Sequence, residues 1–275
     1  MTSPITVAAG AATDTGLRRS LNEDSFLAEA PLFLVADGMG GHEAGEVASA
    51  AVIAEFAPLA GRPSLGIDEV RAALAQARRA VDDLPVGGGG AGTTLSGVVI
   101  ADVAGDGYWL TINLGDSRTY RLSEGDLEQI SVDHSVVQEL IDRGELDADQ
   151  AAQDSRRNVI TRAIGAGSDS EPDYWMIPAE DGDRMLVCSD GLSGELDLAR
   201  IRDILGAETS PQAAATRLVH EAVLHGGRDN ITAIVVDALS VASREGGNTL
   251  PVGPAPGGID ADTLPRDGHA IRGGR

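Results

Sequence analysis

The sequence has no lysine; all 21 of its basic residues are arginine. That removes the chemistry of a lysine amine: Schiff bases, the anchoring of pyridoxal phosphate, and the phosphate-binding lysine of a Walker loop. Cysteine occurs once, at Cys188, so no internal disulfide and no cysteine zinc site can form. Positive charge is scarce, with 43 acidic residues giving a formal net charge of −22. Such a balance argues against a nucleic-acid binder, because phosphate backbones need clustered positive charge. It suits a protein that holds cations. No apolar run reaches the ~18 residues of a membrane span. The segment Met1 to Gly10 lacks the basic region and long apolar stretch of a signal peptide. These absences predict a soluble, cytoplasmic, globular protein that engages neither membrane nor nucleic acid.

What is present fits one sizeable folded unit. The chain has 275 residues, 42% of them hydrophobic, enough for a large core without staples. Its composition changes near residue 242. Residues 243–275 hold eight Gly and four Pro, a density at which aperiodic sequence usually fails to fold. The expected organisation is a domain over 1–242 and a disordered Gly/Pro-rich tail over 243–275.

Hydrophobic periodicity places the elements. Leu32 to Ala36 is an apolar run ending in Asp-Gly, a buried strand feeding a turn. Glu43 to Leu59 is Ala-rich, with Val47, Ala51, Ala54 and Leu59 at helical spacing and Pro58 near its stop. Ile67 to Val81 forms a second helix, with Val70, Leu74, Ala77 and Val81 on one stripe. Thr93 to Asp102 is a strand, and Tyr108 to Leu114 and Arg118 to Leu122 follow as in an antiparallel meander. Ser135 to Arg143 reads as a helix capped by Asp133 or Ser135 and stopped at Gly144. Arg184 to Cys188 and Ile231 to Val236 are strands; Asp197 to Leu205 and Pro211 to Leu224 are helices. Consecutive strands and paired helices predict an α+β fold, sheet layers covered by helix pairs.

Four acids, Asp37, Asp116, Asp190 and Asp229, each stand where a strand meets a tight turn. An Asp beside Gly is common in ordinary turns, yet four that border hydrophobic strands can converge at one end of a core. Like charges gathered there are unfavourable without counter-cations. Oxygen ligands with no Cys and few His select Mg²⁺ or Mn²⁺ over Zn²⁺. A glycine-rich stretch, Gly38 to Gly45, follows the first acid. His42 within it is either a surface loop residue or a proton donor beside a metal site. Gly16 to Asp24 is a dense polar segment, either a solvated basic turn or the carrier of an arginine that clamps a phosphoryl oxygen. Gly87, Gly89 and Gly92 match a dinucleotide fingerprint by spacing, but they open a strand and read as a flexible loop. Asp133-His134-Ser135 has the residue types of a hydrolase triad, which sequence neighbours seldom form. Cys188 lies in a predicted core strand, where inert packing is expected.

The combination resembles the metal-dependent protein phosphatases of the type 2C Ser/Thr class, in their compact bacterial form. The segments that carry it begin with Gly16-x-x-Arg19-x-x-Asn22-Glu23-Asp24 and Val35-Ala36-Asp37-Gly38-Met39-Gly40-Gly41-His42. Gly92-Thr93-Thr94, Asn113-Leu114-Gly115-Asp116-Ser117-Arg118 and Asp133-His134-Ser135 follow. Ile160-Thr161-Arg162-Ala163-Ile164-Gly165, Ser189-Asp190-Gly191-Leu192 and Gly227-Arg228-Asp229-Asn230-Ile231-Thr232 complete it. The resemblance spans roughly residues 5–238. It implies a two-sheet antiparallel β-sandwich flanked by helix pairs, with a metal centre at one end. It further implies that Asp37 bridges two metal ions, that Gly38 offers its carbonyl to one, and that Asp190 and Asp229 complete the other. By the same resemblance Glu23 lies near the second metal, often through water, and Asp24 orients His42. Arg19 holds the substrate phosphate and His42 is the general acid. Asp116 matches a position linked to a third, weaker metal, and Ser135 to about Ser155 is a mobile flap.

The implied activity is hydrolysis of phosphoserine and phosphothreonine in proteins by a hydroxide bridging two Mn²⁺ or Mg²⁺ ions, without a phosphoenzyme. Two cations lower the pKa of the bridging water. Arg19 helps stabilise the equatorial oxygens, and His42 protonates the leaving oxygen. Ser117 and Ser189 need not be nucleophiles. Implied partners are phosphoproteins, including a Ser/Thr protein kinase and its substrates, and the expected state is a monomer. The flap acids, Asp142, Glu145, Asp147, Asp149 and Asp154, either disfavour acid-flanked peptides or form a solvated face. Two other readings stand beside this one: a regulatory module that binds a phosphoprotein without turnover, and a phosphoesterase for small metabolites.

Overall fold

A computed structural model describes residues 2–40, 44–84, 90–147, 150–151, 154–165, 167 and 170–243. One sheet is built from β1 (Ile5–Asp14), β7 (Arg118–Ser123), β8 (Asp126–Gln129), β11 (Arg184–Cys188) and β12 (Ile231–Val241), in the order β1-β12-β11-β7-β8. The second contains β2 (Asp24–Glu29), β3 (Leu32–Met39), β4 (Gly92–Thr93), β5 (Leu95–Val103), β6 (Asp106–Leu114), β9 (Ile164–Gly165) and β10 (Asp173–Pro178). Its order is β10-β6-β5-β3-β4-β9, with β2 paired to β3. Every described ladder is antiparallel, and tight turns join the successive pairs β2–β3, β5–β6 and β7–β8.

Three apolar layers hold the fold. Between the sheets lie Phe33, Val35, Val98, Ile100 and Trp109 from one side and Met185, Val187, Ile234 and Val236 from the other. Helices α1 (Ala44–Phe56) and α2 (Ile67–Asp82) pack on the outer face of the second sheet. Helices α4 (Asp190–Ser193), α5 (Leu198–Ala207) and α6 (Pro211–His225) cover the outer face of the first. A further helix, α3 (Val136–Asp142), is capped by Ser135, whose Oγ accepts from the Gln138 N–H. This is the expected α+β sandwich with helices on both faces. Among the described residues no helix is long and apolar enough to cross a membrane. Apart from Ser243, the expected tail lies outside the described residues.

The structure corrects several local expectations. The buried stripe of α1 is Ala44, Ala48, Val52 and Phe56, not the one through Val47, which is 44% exposed. This helix is apolar on most of its circumference, so periodicity could not choose its face. Strand β3 does not stop before Asp37. It continues because Gly38 and Met39 pair with Thr93 and Gly92. Strand β5 starts at Leu95, and the preceding Gly92–Thr93 belongs to β4. Ser135 alone caps α3; Asp133 instead forms a bidentate pair with Arg118, at 2.7–3.0 Å.

Register brings the four acids to one pole. Cys188 lies opposite both Ala233 and Arg118, and Ile231 lies opposite Asp14. Residues just beyond these positions, Asp190, Asp229, Asp116 and the turn after β1, therefore leave the first sheet at the same end. Across the sandwich Asp24 is paired with Asp37, and the Asp37 N–H donates to Thr94 Oγ1 at 3.0 Å.

Candidate metal centre

Each side chain at this pole is held by a specific local device. Asp37 has its backbone fixed on both sides: its carbonyl accepts from the Thr94 N–H and from Thr93 Oγ1, each at 2.9 Å. Gly38 must lack a side chain, because a Cβ there would run into the Gly45 carbonyl at the start of α1. Asp24 Oδ2 accepts from Ser189 Oγ at 2.8 Å and from Thr232 Oγ1 at 2.7 Å. Its Oδ1 is buried with no hydrogen-bond partner among the described residues. Asn230 organises the polar segment 15–23: its Nδ2 donates to the carbonyls of Thr15 and Leu21, and its Oδ1 accepts from the Glu23 N–H. Arg19 leaves that segment about half exposed and donates to Asp229 Oδ2 at 2.7 Å.

The electrostatics are those of a site short of positive charge. The Asp37 carboxyl is pushed well above the usual range, first by burial and then by the charges of Asp24, Asp190, Asp116 and Asp229. Burial, with Asp190 and Asp133 nearby, lifts Asp116 to about 7. Asp24 is likewise lifted to about 7 by burial, against the pull of its two hydroxyl donors. Asp190 is raised by burial and by Asp229, and is partly relieved by a hydrogen bond with Asp37. Glu23 is raised by burial, with Arg19 opposing. Carboxyls this close share either a proton or a cation.

A divalent ion fits this donor set. The donors are oxygens only, and the mutual repulsion of their carboxylates, with the buried and partly unpartnered Asp24 beside them, is what a 2+ charge would relieve. Among the described residues no group of three or more acidic, histidine or cysteine side chains is arranged to hold a metal ion by itself. Mg²⁺ and comparable hard ions keep several waters and take only one or two carboxylates each. Asp116, Asp190 and Asp229 line a cavity of about 480 Å³ together with Ser135, Val137, Arg157 and Asn158.

The structure gathers Arg19, Glu23, Asp24, Asp37, Gly38, Asp116, Asp190 and Asp229 at this pole. His42, the expected proton donor, lies outside the described residues, as do its neighbours Gly41 and Glu43. The expected flap closes later than Ser155: its base is the Ser135–Ile160 bridge, with the Val136 N–H donating to the Val159 carbonyl at 2.9 Å. Asp149, within it, lies outside the described residues. Sequence reasoning assigned no role to Thr94, Ser189, Thr232 or Asn230, the groups that fix the acids. The Gly-Thr-Thr and Asp-Asn-Ile-Thr segments were the available signal. Cys188 is fully buried and its thiol is pushed up to about 12 by that burial, consistent with inert packing.

A sandwich of two sheets with a crowded, oxygen-only carboxylate pole and an arginine at its rim defines a class: a divalent-cation site of the kind used for phosphoryl chemistry. Residues 18–224 match the family model described as protein phosphatase 2C, and the chain belongs to that family. It is 40% identical over 268 residues to the serine/threonine protein phosphatase PstP of Mycobacterium tuberculosis, a match covering 93% of this chain and 49% of the relative. The chain thus spans about half the length of that relative. It is 32% identical over 239 residues to the serine/threonine phosphatase stp of Listeria welshimeri, covering 82% of this chain and 93% of the relative. The crystal structure of M. tuberculosis PstP/Ppp superposes with a TM-score of 0.79 at 37% identity, over 85% of this chain and 99% of that one. The PstP catalytic domain in complex with two manganese ions gives 0.76 at 36% identity, over 85% and 99%.

Proposed function

We propose that this chain is a metal-dependent protein serine/threonine phosphatase. The observation that carries the reading is the Asp37 carboxyl, which faces Asp24, Asp190, Asp116 and Asp229 with Arg19 at the rim. When bound, two Mn²⁺ or Mg²⁺ ions supply an acidified water for in-line attack on phosphorus and offset the phosphoryl charge. Asp37 would hold both ions, with the Gly38 carbonyl and Glu23 placed to serve one, Asp190 and Asp229 the other, and Asp116 a third and weaker one. Asp24, locked by Ser189 and Thr232, adds negative charge without moving. Arg19 donates to the phosphoryl oxygens, a role its half-exposed guanidinium suits. His42 protonates the departing seryl or threonyl oxygen.

Ser117 and Ser189, the serines beside Asp116 and Asp190, are engaged in structural hydrogen bonds. Ser189 Oγ is committed to Asp24 and to the Thr232 N–H, and Ser117 Oγ to Thr94 Oγ1. Direct attack by water on phosphorus needs no phosphoenzyme. The substrates are phosphoproteins, among them a Ser/Thr protein kinase and its targets, and the protein works as a cytoplasmic monomer.

The test is hydrolysis of a phosphothreonine peptide with Mn²⁺, with Mg²⁺ and with EDTA, beside Asp37→Asn. Turnover that needs the ion and vanishes in the variant supports the reading. Peptide binding without turnover in any metal overturns it in favour of a phosphoprotein-binding module. Preference for sugar phosphates over the peptide would make it a small-molecule phosphoesterase.

A further inference from the structure

Glu195 lines the same cavity as Asp190 and Asp229 but has no part in the proposed chemistry. Its side chain is 3% exposed. Among the described residues, the hydrogen bonds to its carboxyl all come from Arg228. The Arg228 N–H and Nε donate to Oε1, each at 2.9 Å, and Nη2 donates to Oε2 at 2.8 Å. The same Nη2 reaches the Gly194 carbonyl at 3.2 Å. Asp229 is the next residue along the chain. A buried acid paired in this way gains little stability, because the cost of desolvation offsets the attraction. What the pair does fix is the place of a backbone amide one residue from Asp229.

These bonds join two pieces of the pole. Glu195 follows α4 closely, and Asp190 opens that helix. The Asp190 carbonyl accepts from the Gly194 N–H at 2.7 Å, and the Leu192 carbonyl accepts from the N–H groups of Glu195 and Leu196 at 3.2 and 3.0 Å. Leu192 and Leu196 are buried beneath, so residues 190–196 form one anchored piece. The other piece is the turn over 226–230, between α6 and β12. It carries Asp229, whose Oδ1 accepts from the Asn230 N–H at 2.8 Å and therefore moves with the turn. The two pieces meet at two places. Near Asp190, a Cβ on Gly191 would run into the Asn230 carbonyl. Near Glu195, a Cβ on Gly226 would lie 2.8 Å from Oε2. One contact would leave a hinge; two fix the angle.

We infer that Glu195 is a positioning residue, whose carboxyl oxygen holds the Arg228 N–H and thereby sets the spacing between Asp190 and Asp229. It supplies position rather than charge, since Arg228 neutralises it in place. Asp190 and Asp229 are the two acids assigned to one cation, so a turn that drifts pulls one ligand away from the other. The inference rests on the metal centre proposed above.

Position and charge separate in three substitutions. Glu195→Gln gives up the charge and keeps an oxygen for the Arg228 N–H. Glu195→Asp keeps the charge and draws the oxygen back by one methylene. Glu195→Ala loses both. One readout is hydrogen exchange of the Arg228 amide in metal-free protein, with the Val235 amide in the core as the reference for global opening. The other is a Mn²⁺ binding isotherm, and neither needs turnover. Loss of one hydrogen bond predicts exchange about threefold to tenfold faster at Arg228 in Glu195→Asp and Glu195→Ala, beyond any change at Val235. One Mn²⁺ binding step should weaken by a similar factor, about threefold to tenfold, in both. Glu195→Gln should stay within about twofold of wild type in each readout, because the arginine it releases is well exposed.

Weaker Mn²⁺ binding in Glu195→Gln and Glu195→Ala, with Glu195→Asp at the wild-type value, would overturn position in favour of charge. Faster exchange in Glu195→Asp and Glu195→Ala with unchanged Mn²⁺ binding would also overturn the inference, leaving Glu195 a structural residue. Wild-type protein that binds no Mn²⁺ would remove the metal centre and this inference together. The expected split in exchange and Mn²⁺ binding, without turnover of a phosphothreonine peptide in any metal, would sink the phosphatase reading alone and uphold the role of Glu195.

Discussion

Strand β11 has a buried carboxylate beyond each of its ends, and the two could hardly be treated more differently. Before its first residue stands Asp183, fully enclosed. Its oxygens accept from Trp109 Nε1, the Glu180 N–H and Arg121 Nε, at 2.9–3.0 Å, with Arg121 Nη2 at 2.8 Å. Both carboxylate oxygens have donors, and Arg121 supplies the opposing charge. Beyond the last residue stands Asp190, whose neighbours are Asp37 and Asp229. One end of the sandwich spends its acid on holding β6, β7 and β11 together. The other assembles acids that repel one another and leaves the balance to something the chain does not encode. A buried carboxylate with matched donors is architecture; several without them are a place for a ligand.

The comparison breaks most sharply at Asp37. Asp37→Asn should reduce metal-dependent phosphopeptide hydrolysis about a thousandfold or more, the scale of losing metal-based charge stabilisation. The same change should raise the melting temperature of the EDTA-treated protein, because one repelling charge is gone. Asp183→Ala should do the reverse. It strands Arg121 and the Trp109 N–H, and urea unfolding should show a loss of about 3–5 kcal/mol, while turnover per folded molecule stays near wild type. If both variants lost stability and kept activity, the two ends would be equivalent after all.

Acidity sharpens the same contrast. Asp24 and Asp116 sit at about 7 in the folded protein, against about 3.9 for an unfolded aspartate. Between those values the folded chain holds protons that the unfolded chain has released. Metal-free stability should therefore fall as pH rises from about 4 to about 7 and level off above it. Melting curves across that range, with and without saturating Mn²⁺, check the sign. The ion should restore most at high pH, where the carboxylates are bare. Arg19→Ala is the smaller perturbation: kcat/KM should drop about tenfold to a hundredfold through lost phosphoryl contacts. The melting temperature should scarcely move, since an exposed pair contributes about 0–1 kcal/mol.

Legibility in the sequence followed physical contrast. The stripe of α2 was readable because Arg, Asp and Glu fill its other faces, and all four expected residues are buried. Helix α1 offered no such contrast, and its face was misread. Val52→Ala should cost about 2 kcal/mol in urea unfolding and Val47→Ala under about 0.5 kcal/mol, the smallest difference expected here. Strand β1, Ile-Thr-Val-Ala-Ala-Gly-Ala-Ala-Thr-Asp, escaped notice because alanine and glycine carry little strand preference. It is a strand because β12 pairs with it along its whole length. At the site the acids were legible one by one from Asp beside Gly after apolar runs. Their convergence rests on register between strands far apart in sequence, which local pattern does not contain. Still less visible were the hydroxyls and amides that hold them, because Ser, Thr and Asn look the same in a turn, a cap or a clasp.

The side chain of Asn230 reaches Thr15, Leu21 and Glu23, and this has a consequence in time. The segment that presents Arg19 and Glu23 leaves the ribosome more than 200 residues before its anchor, Asn230. Until the chain has grown past that point, the arginine has no fixed address and Asp229 does not exist. The arrangement proposed for turnover is therefore complete only when these two parts of the chain have met. A fragment released before that meeting would carry most of the fold's residues and none of its chemistry.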